Sequence, residues 1–125
     1  MNGTILLFGF EDLPSIAAMG GVAERFGAKL VPVLRPEYNK TLGVLAGVTK
    51  DRSAAMPYAG GPLGGRMLVL CGLENKLDDL LSAIRQEGIG ADCLKAVLTP
   101  HNRDWTVLAL YAELQAEHRA FQKKR

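Results

Sequence analysis

Residues 5–11 read Ile-Leu-Leu-Phe-Gly-Phe-Glu, and residues 68–74 read Leu-Val-Leu-Cys-Gly-Leu-Glu. Each stretch is a short apolar run that ends at a glycine followed within two positions by a glutamate. Runs of this length bounded by glycine are typical of strands that are buried on both faces of a sheet. The two stretches therefore predict two interior β-strands, each followed by a tight turn into a helix.

The similarity between the two halves extends beyond these strands. A second apolar strand is predicted at 30–34 and again at 94–98, and each is followed by a proline, Pro36 and Pro100. Thr41 and Thr106 then occupy corresponding positions before a helix. Matches at a nearly constant spacing indicate an internal repeat. We therefore predict a duplicated β-α-β-α unit, residues 4–48 and 66–122, joined by a Gly/Pro-rich loop at 49–65.

The fold class that this repeat predicts is α/β, with one four-stranded sheet and helices packed on it. A ferredoxin-like arrangement is the first choice for the strand order, because two β-α-β units can interleave in that way. A small, wholly parallel, three-layer α/β sheet is the alternative. Pro32 predicts that its strand lies at an edge or carries a bulge.

Helix boundaries follow from local signals. Asp12 and Asn75 are predicted N-caps, as is either Asn39 or Thr41 for the short helix after residue 40. Gly20 and Gly21 interrupt the first helix, and each costs about 1 kcal/mol relative to alanine. That cost predicts close backbone packing at the two glycines.

The composition fits one cytoplasmic domain, residues 1–125. The chain is 48% hydrophobic and 22% charged, and no apolar run is long enough to cross a bilayer. A formal net charge of +2 does not favour nucleic-acid binding. Cys71 and Cys93 are predicted to be buried thiols rather than a disulfide.

Residues 95–106 and the pair Glu117-His118 carry a resemblance to a known family. The string Thr99-Pro100-His101-Asn102-Arg103-Asp104-Trp105-Thr106 resembles the bacterial family known as domain of unknown function 3783. The likeness covers about residues 66 to 120, and 42–47 is similar to a stretch that accompanies it. The resemblance implies an α/β fold and a bacterial, cytoplasmic setting, and it implies no activity.

The candidate binding site is the loop at 99–106, where polar residues gather between a predicted strand end and a helix start. Ligands commonly bind at such places in α/β folds. The candidate ligand-binding residues are Thr99, His101, Asn102, Arg103 and Trp105. A structural interpretation stands beside this one, in which Asn102 or Asp104 caps the last helix and Trp105 anchors the loop to the core.

No catalytic residue, metal site or cofactor is predicted. His101 and His118 are the only histidines, which is too few for a histidine-rich metal site. The glycine-rich run at 60–65 precedes a strand, whereas a phosphate-binding loop follows one, so the run is interpreted as a linker.

Two functions remain open at this point. The first is a non-catalytic binding or protein-interaction module that self-associates as a homodimer, because the sheet has edges to protect and Tyr111 and Phe121 form an aromatic stripe. The alternative is a protein, with or without enzymatic activity, that binds a small anionic metabolite at the 99–106 loop.

Overall fold

The computed structural model describes residues 3–50, 56–90 and 92–123, and within them four strands form one sheet. The strands are β1 (Thr4–Phe8), β2 (Lys29–Val33), β3 (Arg66–Cys71) and β4 (Cys93–Val97), in the order β2-β1-β3-β4. The central pair is antiparallel, with Leu6 opposite Val69. Each edge strand runs parallel to the first strand of its own half.

Helices cover both faces of this sheet. On one face lie α1 (Leu13–Arg25) and α3 (Leu77–Gln86), and on the other lie α2 (Leu42–Leu45) and α4 (Val107–Lys123). Alternate residues of a strand point to opposite faces. Ile5 and Leu7 therefore pack against α1 and α3, while Leu6 and Phe8 pack on the side of α2 and α4. This explains the continuous apolar runs of β1 and β3, which are buried on both sides.

The predicted α/β class, with a four-stranded sheet and packed helices, is confirmed. The strand order is neither ferredoxin-like nor wholly parallel. In a ferredoxin-like sheet each edge strand lies beside the central strand of the other unit. Here the units do not interleave, because each helix crosses directly to a neighbouring parallel position, as in β1-α1-β2. The layers are those of the parallel alternative, but the central antiparallel pair makes the sheet mixed.

Several local predictions are confirmed and two are wrong. Asp12 caps α1, with its Oδ2 accepting from Ser15 N at 3.0 Å, and Thr41 caps α2. Asn75 instead lies inside a 3-10 turn, and α3 begins without a side-chain cap. The prediction of close backbone packing at Gly20 and Gly21 of α1 is also wrong. A Cβ on Gly21 would meet nothing within 4 Å, and one on Gly20 would touch only Leu30 Cδ2 at 4.0 Å.

Both cysteines are buried and free, as predicted. Cys71 lies in the core beneath α2 and α4, whereas Cys93 lies in the core beneath α1 and α3. Burial raises the pKa of the Cys71 thiol to about 12 and that of Cys93 to about 11. Since the thiolate is the reactive form, neither thiol is a nucleophile at neutral pH.

Two predictions fall partly outside the described residues. Of the 49–65 loop, residues 51–55 lie outside them, and so does the side chain of Phe121 in the proposed aromatic stripe. Tyr111, the other member of that stripe, is buried in the core beneath α4. None of the described helices combines the length and apolar character needed to cross a membrane.

Candidate functional site

Asn102, the central residue of the predicted 99–106 site, points back onto β4. Its side chain is only 9% exposed. The Asn102 Nδ2 donates to the Val97 carbonyl oxygen at 3.1 Å, and its Oδ1 accepts from Thr99 N at 2.9 Å. The Thr99 Oγ1 in turn accepts from Asn102 N at 3.2 Å. The polar groups of Asn102 are therefore occupied within the protein.

This pair of hydrogen bonds resembles the bonding of a neighbouring strand. The N–H of Leu98 bonds inward to the Leu70 carbonyl oxygen, so the backbone groups of Val97 and Thr99 face the outer edge. The Asn102 carboxamide bonds to the outward oxygen of one and the outward nitrogen of the other, as the N–H and C=O of one residue of a fifth strand would. Asn102 is not the helix cap, because Thr106 Oγ1 accepts from Ala109 N at 3.2 Å and fills that role.

The rest of the loop connects the two halves of the molecule. The carbonyl oxygens of Arg103 and Trp105 accept from Gly43 N at 2.8 Å and Leu42 N at 2.9 Å. Thr41 and Thr106 form an antiparallel bridge. The backbone of the loop therefore docks on the first turn of α2.

Thr99, His101 and Arg103 are the exposed members of the predicted set. The His101 ring lies edge-on to Trp105, with ring centroids 5.3 Å apart, and Trp105 packs against the core beneath α4. The structure thus brings His101 and Trp105 together and turns Asn102 and Thr99 toward the sheet. A ligand role for the five residues stays a prediction.

A cleft of about 430 Å³ lies at the other end of the molecule, at the carboxyl ends of β1 and β2. This volume is within the range of small-molecule sites, about 300–1,000 Å³. We call it the Arg35 cleft. Its lining comprises Gly9, Phe10, Glu11, Val33, Leu34, Arg35, Tyr38 and residues 62–66.

Glycines bring the walls of the cleft together. Gly9 has a φ of 76°, a conformation that only glycine adopts without strain, and it turns the chain out of β1. A Cβ on Gly9 would overlap the Gly65 carbonyl oxygen. The glycine-rich loop before β3 therefore rests directly on the turn after β1.

Tyr38 is a buried polar residue of the cleft, with 4% of its surface exposed. Its ring packs between Phe8 and Tyr58, with centroid distances of 6.3 and 5.9 Å. Burial raises the pKa of Tyr38, against the effects of a backbone hydrogen bond from Gly9 and the positive charge of Arg35. The hydroxyl is therefore protonated at neutral pH and can donate or accept a hydrogen bond.

Arg66 is held by three contacts. Its Nη2 lies 2.8 Å from Asp92 Oδ2, its Nη1 donates to Ser15 Oγ at 3.4 Å, and its guanidinium lies 5.1 Å from the centroid of the Phe10 ring. The bond from Arg66 lowers the pKa of the Asp92 carboxyl. Arg66 thus lies on the Phe10 side of the cleft with its charge paired to Asp92.

The other two charged residues of the cleft, Arg35 and Glu11, have no ion-pair partner among the described residues. Both side chains lie near enough to Tyr38 to affect its pKa, Arg35 by lowering it and Glu11 by raising it. The cleft therefore offers a free guanidinium, a free carboxylate and a buried hydroxyl.

Sequence reasoning did not identify this cleft. The sequence predicts a turn at Gly9-Phe10-Glu11 and a linker at 60–65, two segments that are far apart along the chain. A single weak signal existed, since the turn after β1 stands where ligands bind in α/β folds. Among the described residues, no group of three His, Cys, Asp or Glu side chains could hold a metal ion.

Comparison with known proteins gives a family without an activity. No curated protein and no solved structure matches the chain. The sequence model of the family described as domain of unknown function DUF3783 matches residues 66–121, which span β3 to most of α4. The match covers a little less than half of the chain, and it supports membership of this segment in the DUF3783 family.

Proposed function

We propose that this protein is a non-catalytic binding module of the bacterial cytoplasm, and that it holds a small ligand with an anionic group in the Arg35 cleft. One observation carries the proposal: Arg35, which has no ion-pair partner among the described residues, and the buried Tyr38 line one cleft with apolar walls. Sites for small molecules combine mostly apolar walls with a few placed polar groups.

The Arg35 cleft supports binding better than the 99–106 loop does. In that loop, the side chains of Asn102 and Thr99 already bond to one another and to the backbone of β4. Arg103 remains exposed and is the residue of the loop that could still hold an anion. An anion site there is the second candidate, and the experiment below separates the two.

We also propose that the chain arose by internal duplication and that its halves have diverged in role. The strands β1 and β2 are arranged as β3 and β4 are, and Thr41 meets Thr106 across the molecule. Tyr38 follows β2 at the same distance as Asn102 follows β4. In the first half this position is Tyr38, whose hydroxyl belongs to the cleft. In the second half it is Asn102, which bonds to the outward backbone groups of the edge strand.

Ligand titrations followed by amide NMR shifts test the binding proposal. The probes are inorganic phosphate, a set of small carboxylic acids and nucleoside monophosphates. We expect at least one probe to shift the amides of residues 9–11, 34–38 and 62–66, and Arg35→Gln to weaken that binding at least tenfold.

Arg103→Gln is the matched control, because it removes an exposed arginine from the 99–106 loop and should leave cleft binding unchanged. Shifts confined to residues 99–106 that are lost in Arg103→Gln would favour the second candidate. If no probe shifts either region, the binding proposal is wrong.

A further inference from the structure

We infer that the Arg35 cleft takes a zwitterion, a small molecule that carries both a carboxylate and an ammonium group, as free α-amino acids do. The carboxylate lies at Arg35 and the ammonium group at Glu11. This inference rests on the proposed function, because it names the class of ligand that the same cleft binds.

The first argument is the pairing of unlike charges in one cleft. Arg35 follows β2 and Glu11 follows β1, and the two parallel strands end at the same side of the sheet. Both residues line the same cleft as Tyr38, yet no ion pair joins them in the described residues. An arginine and a glutamate that line one cleft without pairing leave room for a ligand between them.

The second argument excludes a simple anion as the best ligand. A carboxylate bound at Arg35 brings its negative charge toward Glu11, and like charges repel. The positive charge of Arg66 does not offset this repulsion, because Asp92 already pairs with Arg66. A ligand with an ammonium group beside its carboxylate removes the repulsion and pairs both free charges at once.

The third argument concerns the rest of the ligand. Phe10, Leu34 and Leu63 give the cleft an apolar part, and Leu34 is 67% exposed although it is a large apolar side chain. Arg66 holds its guanidinium over the Phe10 ring, which fixes the ring in place. An apolar or aromatic side chain on the ligand would cover this part. The class that fits is therefore an amino acid with an apolar side chain.

Three matched probes test the inference on the full chain. L-phenylalanine carries both charges, 3-phenylpropanoic acid lacks the ammonium group, and 2-phenylethylamine lacks the carboxylate. In calorimetric or NMR titrations at pH 7, we expect L-phenylalanine to bind at least tenfold more tightly than either analogue and to shift the amides of residues 9–11 and 34–38. The remaining standard L-amino acids are screened in the same way.

Variants assign the two charges. Glu11→Gln should abolish the preference for L-phenylalanine over 3-phenylpropanoic acid, whereas Arg35→Gln should weaken both acids at least tenfold. Glu74→Gln is the matched control, because Glu74 follows β3 as Glu11 follows β1, is exposed and does not line the cleft. Glu74→Gln should leave the affinities of all three probes unchanged.

The outcomes separate this inference from the broader proposal. If 3-phenylpropanoic acid binds the cleft as tightly as L-phenylalanine, or if Glu11→Gln leaves the preference intact, the ligand is an anion and the zwitterion is wrong. If no standard L-amino acid shifts the cleft while phosphate or another anion does, the zwitterion is again wrong and the binding proposal stands. If none of the probes binds, both the zwitterion inference and the binding proposal are wrong.

Discussion

The Asn102 side chain occupies outward-facing backbone groups at the end of the edge strand β4. An asparagine carboxamide has an acceptor oxygen and a donor nitrogen in one plane, and together they can replace the N–H and C=O that one residue of a neighbouring strand presents. Asn102 uses the nitrogen on Val97 and the oxygen on Thr99, two residues whose backbone groups face outward. Aspartate lacks the donor and serine lacks the span, so neither can replace both bonds.

Removal of the Asn102 carboxamide should destabilise the fold. We expect Asn102→Ala to lower the free energy of unfolding by about 1–3 kcal/mol, because a largely buried donor and acceptor lose their partner. Asn75→Ala is the control, since Asn75 is exposed and makes no cap, and its effect should stay within about 0.5 kcal/mol. Urea denaturation measures both. If both variants change the free energy of unfolding by the same small amount, the Asn102 side chain does not stabilise the edge of the sheet.

The two edge strands are protected in different ways. Lys29 N donates to the Gly3 carbonyl oxygen inside the sheet, so alternation places Pro32 with its missing N–H on the outer side of β2. On β4, Lys95 Nζ donates to the outward carbonyl oxygen of Cys93 at 3.0 Å, and Asn102 covers Val97 and Thr99. A homodimer stays a prediction, and these protected edges argue against strand pairing as its interface.

Glycines in a turn and in a helix should respond to alanine in opposite directions. Gly9→Ala should destabilise the protein, because the residue has a positive φ and its new Cβ would overlap the Gly65 carbonyl oxygen. Gly21→Ala should stabilise it by about 0.5–1 kcal/mol, since α1 has free space at that position. Thermal and urea unfolding check both signs. Destabilisation by Gly21→Ala would contradict the free space at this position of α1.

The two halves share both hydrophobic cores of the protein. Ile5 and Leu7 of the first half share a core with Leu68 and Leu70 of the second, and Leu6 and Phe8 share the other core with Met67 and Val69. The 99–106 loop also bonds to the first turn of α2. The DUF3783 segment therefore contains only one side of each core.

A chain of residues 64–125 alone should fail to fold as a monomer. Without β1, the inner edge of β3 loses its antiparallel partner and the apolar side chains on both its faces lose part of their cover. We expect circular dichroism of the fragment to show no cooperative thermal transition at low concentration, with the full chain as control. A monomeric fragment that unfolds cooperatively would contradict this account of the shared cores.

The sequence alone predicted the elements of this protein, because their signals are local. Strand positions follow from short apolar runs, two of which end at a glycine. The Asp12 cap, and the choice of Asn39 or Thr41 for α2, follow from side chains that reach only a few residues along the chain. The α/β class followed from the order of these elements. The resemblance to the DUF3783 family rested on residues 99–106, and it is confirmed over 66–121.

Only the tertiary structure decided the strand order and the candidate site. Parallel and interleaved arrangements of two β-α-β units satisfy the same apolar pattern, so the pairing of β1 with β2 and β3 depends on contacts between distant segments. The role of Asn102 depends on which backbone groups of β4 face outward. The Arg35 cleft joins the turns after β1 and β2 to a glycine-rich loop that begins near residue 60. Local patterns carry no information about such distances, and folding alone brings Glu11, Arg35 and Tyr38 together.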